Sequence, residues 1–244
     1  MILGLEDIPG GTSFATFLVW LALSGLYYLV CYLAVLNVLD DLTQNRLFKF
    51  PAMLGAALAT DIPIIALHLT RPGVEIPNRE ALGMASHFDA AKGAYIIRNY
   101  DNNRPHEGVV LVRGTKVIDE LLTLLSQFGE DGPNVKIVAV LSYGLFEMQS
   151  KEYQISVISD TEWVDAMIIT NTSIANMSNW TKYLIVKEYS VSADWDNRWR
   201  SGGTLDDVID EAHLSAEWQW KAITRFANER KERLEKVKSV FNIS

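Results

Sequence analysis

Residues Val109–Gly144 read VVLVRGTKVIDELLTLLSQFGEDGPNVKIVAVLSYG. Val109–Val112 is a short, continuous apolar run, the pattern of a strand buried on both faces. Val117, Leu121, Leu122, Leu124 and Leu125 then recur at helical spacing up to Phe128, and Gly129 stands where a helix C-cap would. Val135–Leu141 (VKIVAVL) is a second buried-strand pattern. Strand, helix and strand in this order predict an α/β domain with a mostly parallel sheet flanked by helices. Outward from this core, Ile62–Leu69 (IPIIALHL), Ala94–Arg98 (AYIIR) and Tyr153–Ile158 (YQISVI) read as further strands. Asn78–Phe88 reads as a helix with Asn78 as its N-cap. Ligands of such sheets sit at the carboxyl ends of strands, so the loops after Leu69 and Val112 are the places to look for a site.

The composition agrees with a globular chain. Of 244 residues, 49% are apolar and 21% charged, enough to bury a large core without covalent staples. The 22 basic and 30 acidic residues give a net charge of -8, which disfavours an electrostatic grip on nucleic acid. A single cysteine, Cys31, rules out an internal disulfide framework.

The first third is unusually greasy. No charged residue falls between Ile8 and Leu39. Phe17–Leu36 is long and apolar enough for a membrane span, which needs about 20 residues. The acidic Glu6 and Asp7 before it do not make a signal-peptide n-region. The other reading is two buried strands, about 14–23 and 26–37, broken at Ser24-Gly25. Pattern alone leaves both open.

The order of elements resembles the type I phosphoribosyltransferases, orotate phosphoribosyltransferase in particular. TRPGVEIPNREA (Thr70–Ala81) stands where that family has its pyrophosphate loop. YIIRN (Tyr95–Asn99) and PHEG (Pro105–Gly108) stand at the family's strand arginine and hood loop, and SGLYY (Ser24–Tyr28) at its serine-glycine segment. The resemblance covers about Phe17–Asn171. It implies a phosphoribosyltransferase-like sheet and, in an active member, 5-phosphoribosyl diphosphate with magnesium.

The chemistry-bearing residues depart from that pattern. The family's paired acids for the ribose hydroxyls are replaced by Arg113-Gly114, and its Thr-Thr turn by Val117-Ile118, which has no side-chain donor for phosphate. Val74-Glu75 replaces adjacent glycines, placing a carboxylate where a pyrophosphate would lie. The expectation is therefore a non-catalytic member of the fold, a structural or interaction component of an assembly, of viral or phage kind for example, with no cofactor. Two alternatives stand beside it: an orotate phosphoribosyltransferase-like enzyme with altered loops, and a membrane-anchored protein. In the enzyme alternative Arg98, Arg113, Thr115 and Lys116 are the phosphate contacts. Gly, hydroxyl and Lys ahead of a helix also suit a plain anion loop, though GxxxxGK[ST] is absent.

Other chemistry is weakly signalled. His68, His87, His106 and His213 are far apart and pair with no other histidine at helical spacing, so a metal centre is not expected. The sequons at Asn171, Asn176 and Asn179 lack a secretory signal and read as composition.

Past residue 188 the character shifts. Thr204–Val240 contains no Gly or Pro and reads as a long helix opened by a Thr204/Asp207 capping box. The expected organisation is a tail 1–13, an α/β domain 14–188 and a helical extension 189–244. Trp195, Trp199, Trp218 and Trp220 gather in this extension and are the candidate partner-binding residues. A homo-oligomer or protein assembly is the expected partner, without nucleic acid, and with a membrane only through 8–39. The expected location is intracellular or within a particle.

Overall fold

Among the described residues five short strands carry the fold: β1 (Ala94–Arg98), β2 (Val109–Arg113), β3 (Lys136–Val140), β4 (Ala166–Thr170) and β5 (Val191–Ser192). They form one sheet in the order β1-β3-β2-β4-β5. β2, β3, β4 and β5 run parallel, and β1 pairs antiparallel with β3 at one edge. The computed structural model describes residues 49–61, 64–66, 77–198, 200 and 202–241. The chain divides into two units, Met1–Phe48 and Lys49–Ser244, and the sheet belongs to the second. The expected strands at 14–23 and 26–37, the 8–39 span and most of Ile62–Leu69 and Thr70–Ala81 lie outside the described residues.

The helices are α1 (Lys49–Leu58), α2 (Thr115–Leu122), α3 (Tyr143–Glu147), α4 (Lys151–Val157), α5 (Asp160–Val164), α6 (Leu184–Tyr189), α7 (Leu205–Glu211), α8 (Ala216–Asn228) and α9 (Arg230–Phe241). Strand alternation sends side chains to two cores. Val110, Val112, Ile137, Ala139, Met167 and Ile169 pack against α2, α7 and α8 on one face. Val109, Leu111, Val138, Val140, Ala166 and Ile168 pack against α3, α4 and the 3-10 helix Ile174–Trp180 on the other. Strands β3 and β4, on either side of β2, are buried at every position, as their mostly apolar sequences require, and the buried Lys136 of β3 is paired with Glu162.

Several expectations are corrected. Tyr153–Ile158 lies largely in α4, not a strand: Ser150 caps it by accepting from the Tyr153 N–H, and Val157 is buried while Ile155 is exposed. Asn78 opens a turn by accepting from the Ala81 N–H at 3.1 Å. The helix expected there is the short 3-10 segment His87–Lys92, capped by Ser86. α2 ends at Leu122 rather than running to Phe128, and Leu125–Gln127 forms a separate 3-10 turn. The C-terminal region is helical, as expected, but in three pieces. The Thr204/Asp207 capping box starts α7. His213 then adopts φ 57° and closes a Schellman motif, with Leu214 N–H donating to Ile209 and His213 N–H to Asp210.

The loop between β1 and β2 is built on Asn134, which is fully buried. Its Oδ1 accepts from the Asp101 N–H at 2.8 Å, and its Nδ2 donates to the carbonyls of Asp101, Arg104 and Pro105. Its own N–H donates to Glu107 at 2.6 Å. Asn134→Ala is expected to cost about 2 kcal/mol in urea denaturation, because it strands several of these groups at once. A cost within experimental error of zero would show that the loop holds itself.

Candidate functional site

The direction of the chain changes around β2. The segment after β2 enters α2 on one face of the sheet, whereas those after both its neighbours, β3 and β4, go to the opposite face. The carboxyl end of β2 is therefore a topological switch point, where the diverging connections open a crevice in sheets of this class.

Arg113 is the last residue of β2, and the alternation of the strand turns it toward the face of Leu111 and Met177. Its guanidinium is half-buried. Its polar contact is the thioether of Met177, with Nη1 3.7 Å from Sδ, a weak acceptor for a cation. Burial holds the Arg113 pKa below the usual arginine value, and among the described residues no carboxylate raises it. Arg200 pairs with Asp196, Arg225 with Glu229, and Arg230 and Arg233 with Asp165, whereas Arg79, Arg98 and Arg104 donate to backbone carbonyls, contacts stronger than a thioether.

Gly114 follows with φ 111° and is the N-cap of α2, so no side chain caps that helix. A Cβ here would come 2.5 Å from Oδ1 of Asn171, the residue after β4. Glycine is thus required both by backbone conformation and by the close approach of the two loops. Thr115 and Asn171 are exposed at this end of the sheet. The first amides of α2 point toward the same end, where the helix dipole favours negative charge.

The other expected phosphate contacts are placed differently. Lys116 sits at the start of α2, but its ammonium is 2.7 Å from Asp119 and 2.8 Å from Glu120. Those hydrogen bonds, Asp119 first, raise its pKa. Arg98 is at the opposite end of the sheet, since it pairs in register with Ile137 at the start of β3. It donates to the carbonyls of Val135 at 2.5 Å and Phe128 at 2.9 Å and lies over the Phe128 ring. Arg98 thus braces the turn ahead of β3 and does not meet Arg113. Arg113 ends β2 and Thr115 opens α2, Lys116 is tied to its own helix, and Arg98 lies at the other end of the sheet.

The tryptophans also divide. Trp195 stacks on His213 at 4.1 Å, and the other face of His213 stacks on Trp218 at 3.9 Å. Trp195 also donates through Nε1 to the Glu211 carbonyl. This three-ring stack holds the end of α7 against the turn after β5. Trp220 instead packs edge-on against Phe128 beside the first core, and Trp199 lies outside the described residues. In the sequence His213 stands only as an isolated histidine and Asn171 only as a sequon, not as site residues. Neither has a local signal, because their partners lie on other elements.

No protein-family profile matches the chain, and no curated protein does. Solved structures with a similar fold include transketolase from Pichia stipitis in complex with sedoheptulose 7-phosphate, at 21% identity and TM-score 0.47, over 64% of this chain and 21% of that one. Transketolase from Leishmania mexicana follows at 13% identity and TM-score 0.48, over 66% and 20%. That from Campylobacter jejuni has 16% identity and TM-score 0.40, over 54% and 18%. The chain thus spans about a fifth of the length of these proteins. With every TM-score here below 0.5, no activity is carried across.

The comparisons name transketolases where the sequence suggested phosphoribosyltransferases, and that resemblance is corrected. The structure gives physical reasons. Of the residues that carried it, Arg98 is a brace and Pro105 belongs to the Asn134-bound loop. The strand expected at Tyr153–Ile158 is a helix. The non-catalytic phosphoribosyltransferase scaffold, its viral or phage setting and the orotate-type enzyme are withdrawn with the resemblance. The membrane-anchored alternative is withdrawn with them. Among the described residues no helix is long and apolar enough to cross a membrane.

Proposed function

We propose that the unit 49–244 binds a small phosphate-bearing molecule at the carboxyl end of β2. The observation that carries this reading is the Arg113 guanidinium, half-buried at a topological switch point, with a thioether and, among the described residues, no acid beside it. A cation taken out of water without an anion is costly, and an anionic ligand is the partner that offsets the cost. Charge-assisted hydrogen bonds to such a group contribute about 1.5–3 kcal/mol. The planar guanidinium suits two oxygens of one phosphate. The Thr115 hydroxyl and the uncapped amides of α2 supply further donors on the adjoining side of Gly114. Asn171 can offer its amide from the facing loop.

The test is thermal melting in phosphate against chloride at matched ionic strength. Phosphate is expected to raise Tm of the wild type and to leave Arg113→Met unmoved. Lys116→Ala is expected to respond like the wild type, because that ammonium is already neutralised by Asp119 and Glu120. Without ligand, Arg113→Met is expected to be as stable as the wild type, or more stable by about 1 kcal/mol, since it removes a desolvated charge. An equal phosphate response in wild type and Arg113→Met would remove the site. A response lost in Lys116→Ala and kept in Arg113→Met would move it onto α2.

A further inference from the structure

We draw no further inference here: the strongest candidate, a cavity of about 470 Å³ against the outer edge of β1, lined by Leu82, Gly83, Ala85, Leu125 and residues 96–99, has its one cation, Arg98, already donating to two backbone carbonyls, and nothing in the structure shows what covers it.

Discussion

Asp165→Ala is expected to destabilise the protein by about 3–5 kcal/mol, the cost of leaving a buried charge without its partner. Asp165 immediately precedes β4, and its backbone carbonyl accepts from the Val109 N–H that opens β2. Its carboxylate accepts from Arg233 Nε at 2.9 Å and Nη2 at 2.6 Å, and from Arg230 Nε at 2.6 Å. Arg233 is 0% exposed. Its guanidinium lies 3.7 Å over the Phe226 ring and donates to the Phe226 carbonyl. α9 is thereby tied to the amino end of the sheet. Removing the carboxylate strands Arg233 among aromatic rings, where water does not reach it. Arg230 is 37% exposed and finds water easily, so Arg230→Ala is expected to cost under about 1 kcal/mol. The double variant Asp165→Ala/Arg233→Met is expected to recover much of the loss, because the stranded charge is gone. Urea denaturation of the wild type, Asp165→Ala, Arg230→Ala, Arg233→Met and the double variant checks this. Additive losses in the double variant would show that the pair matters through packing rather than charge.

The second large effect is expected at Gly93. This residue ends the His87–Lys92 segment at φ 84°, and its carbonyl accepts from both Leu141 at 2.8 Å and Ser142 at 2.9 Å. A Cβ here would meet backbone: it would fall 2.5 Å from the Phe146 amide and 3.0 Å from the Leu145 carbonyl carbon. Gly93→Ala therefore combines left-handed strain with the displacement of α3 from β1. The expected cost is roughly 2–4 kcal/mol. Gly83 provides the comparison. It has φ 62° and open space where a Cβ would stand, so Gly83→Ala is expected to cost only about 1 kcal/mol. Equal costs at the two positions would show that α3 yields to the added methyl.

The parts of the fold that were legible in the sequence are those whose burial is local and continuous. VVLV and VKIVAVL are nearly pure apolar runs, and both are central strands. Thr204 and Asp207 form the capping box their spacing suggests, because a cap depends on residues three apart. AMIIT, which is β4, went unmarked. It is only five residues long, between Asp165 and a polar loop, and its burial comes from neighbours contributed by distant chain. YQISVI misled in the opposite direction. Its β-branched residues suggested a strand, while Ser150 and the Tyr153, Val157 spacing decided for a helix.

The site was legible in position and not in chemistry. A βα loop bearing Arg113-Gly114 is visible in sequence, and the switch-point rule makes it a place to look. That Arg113 meets a thioether depends on Met177, 64 residues away. That Lys116 is neutralised depends on which rotamer reaches Asp119 and Glu120. The family resemblance rested on the order and spacing of strands and helices, which many α/β chains share. Most of the residues that would have carried its chemistry were absent where they were sought: the paired acids at Arg113-Gly114, the Thr-Thr turn at Val117-Ile118 and the adjacent glycines at Val74-Glu75.

The most direct measurement is a calorimetric titration of inorganic phosphate into the wild type and Arg113→Met, at low ionic strength and with chloride as the control. The account predicts saturable binding to the wild type with Kd of about 1 mM or tighter, equivalent to roughly 4 kcal/mol, and no heat beyond dilution with Arg113→Met. Matching isotherms for the two proteins, or none for a folded wild type, would contradict it.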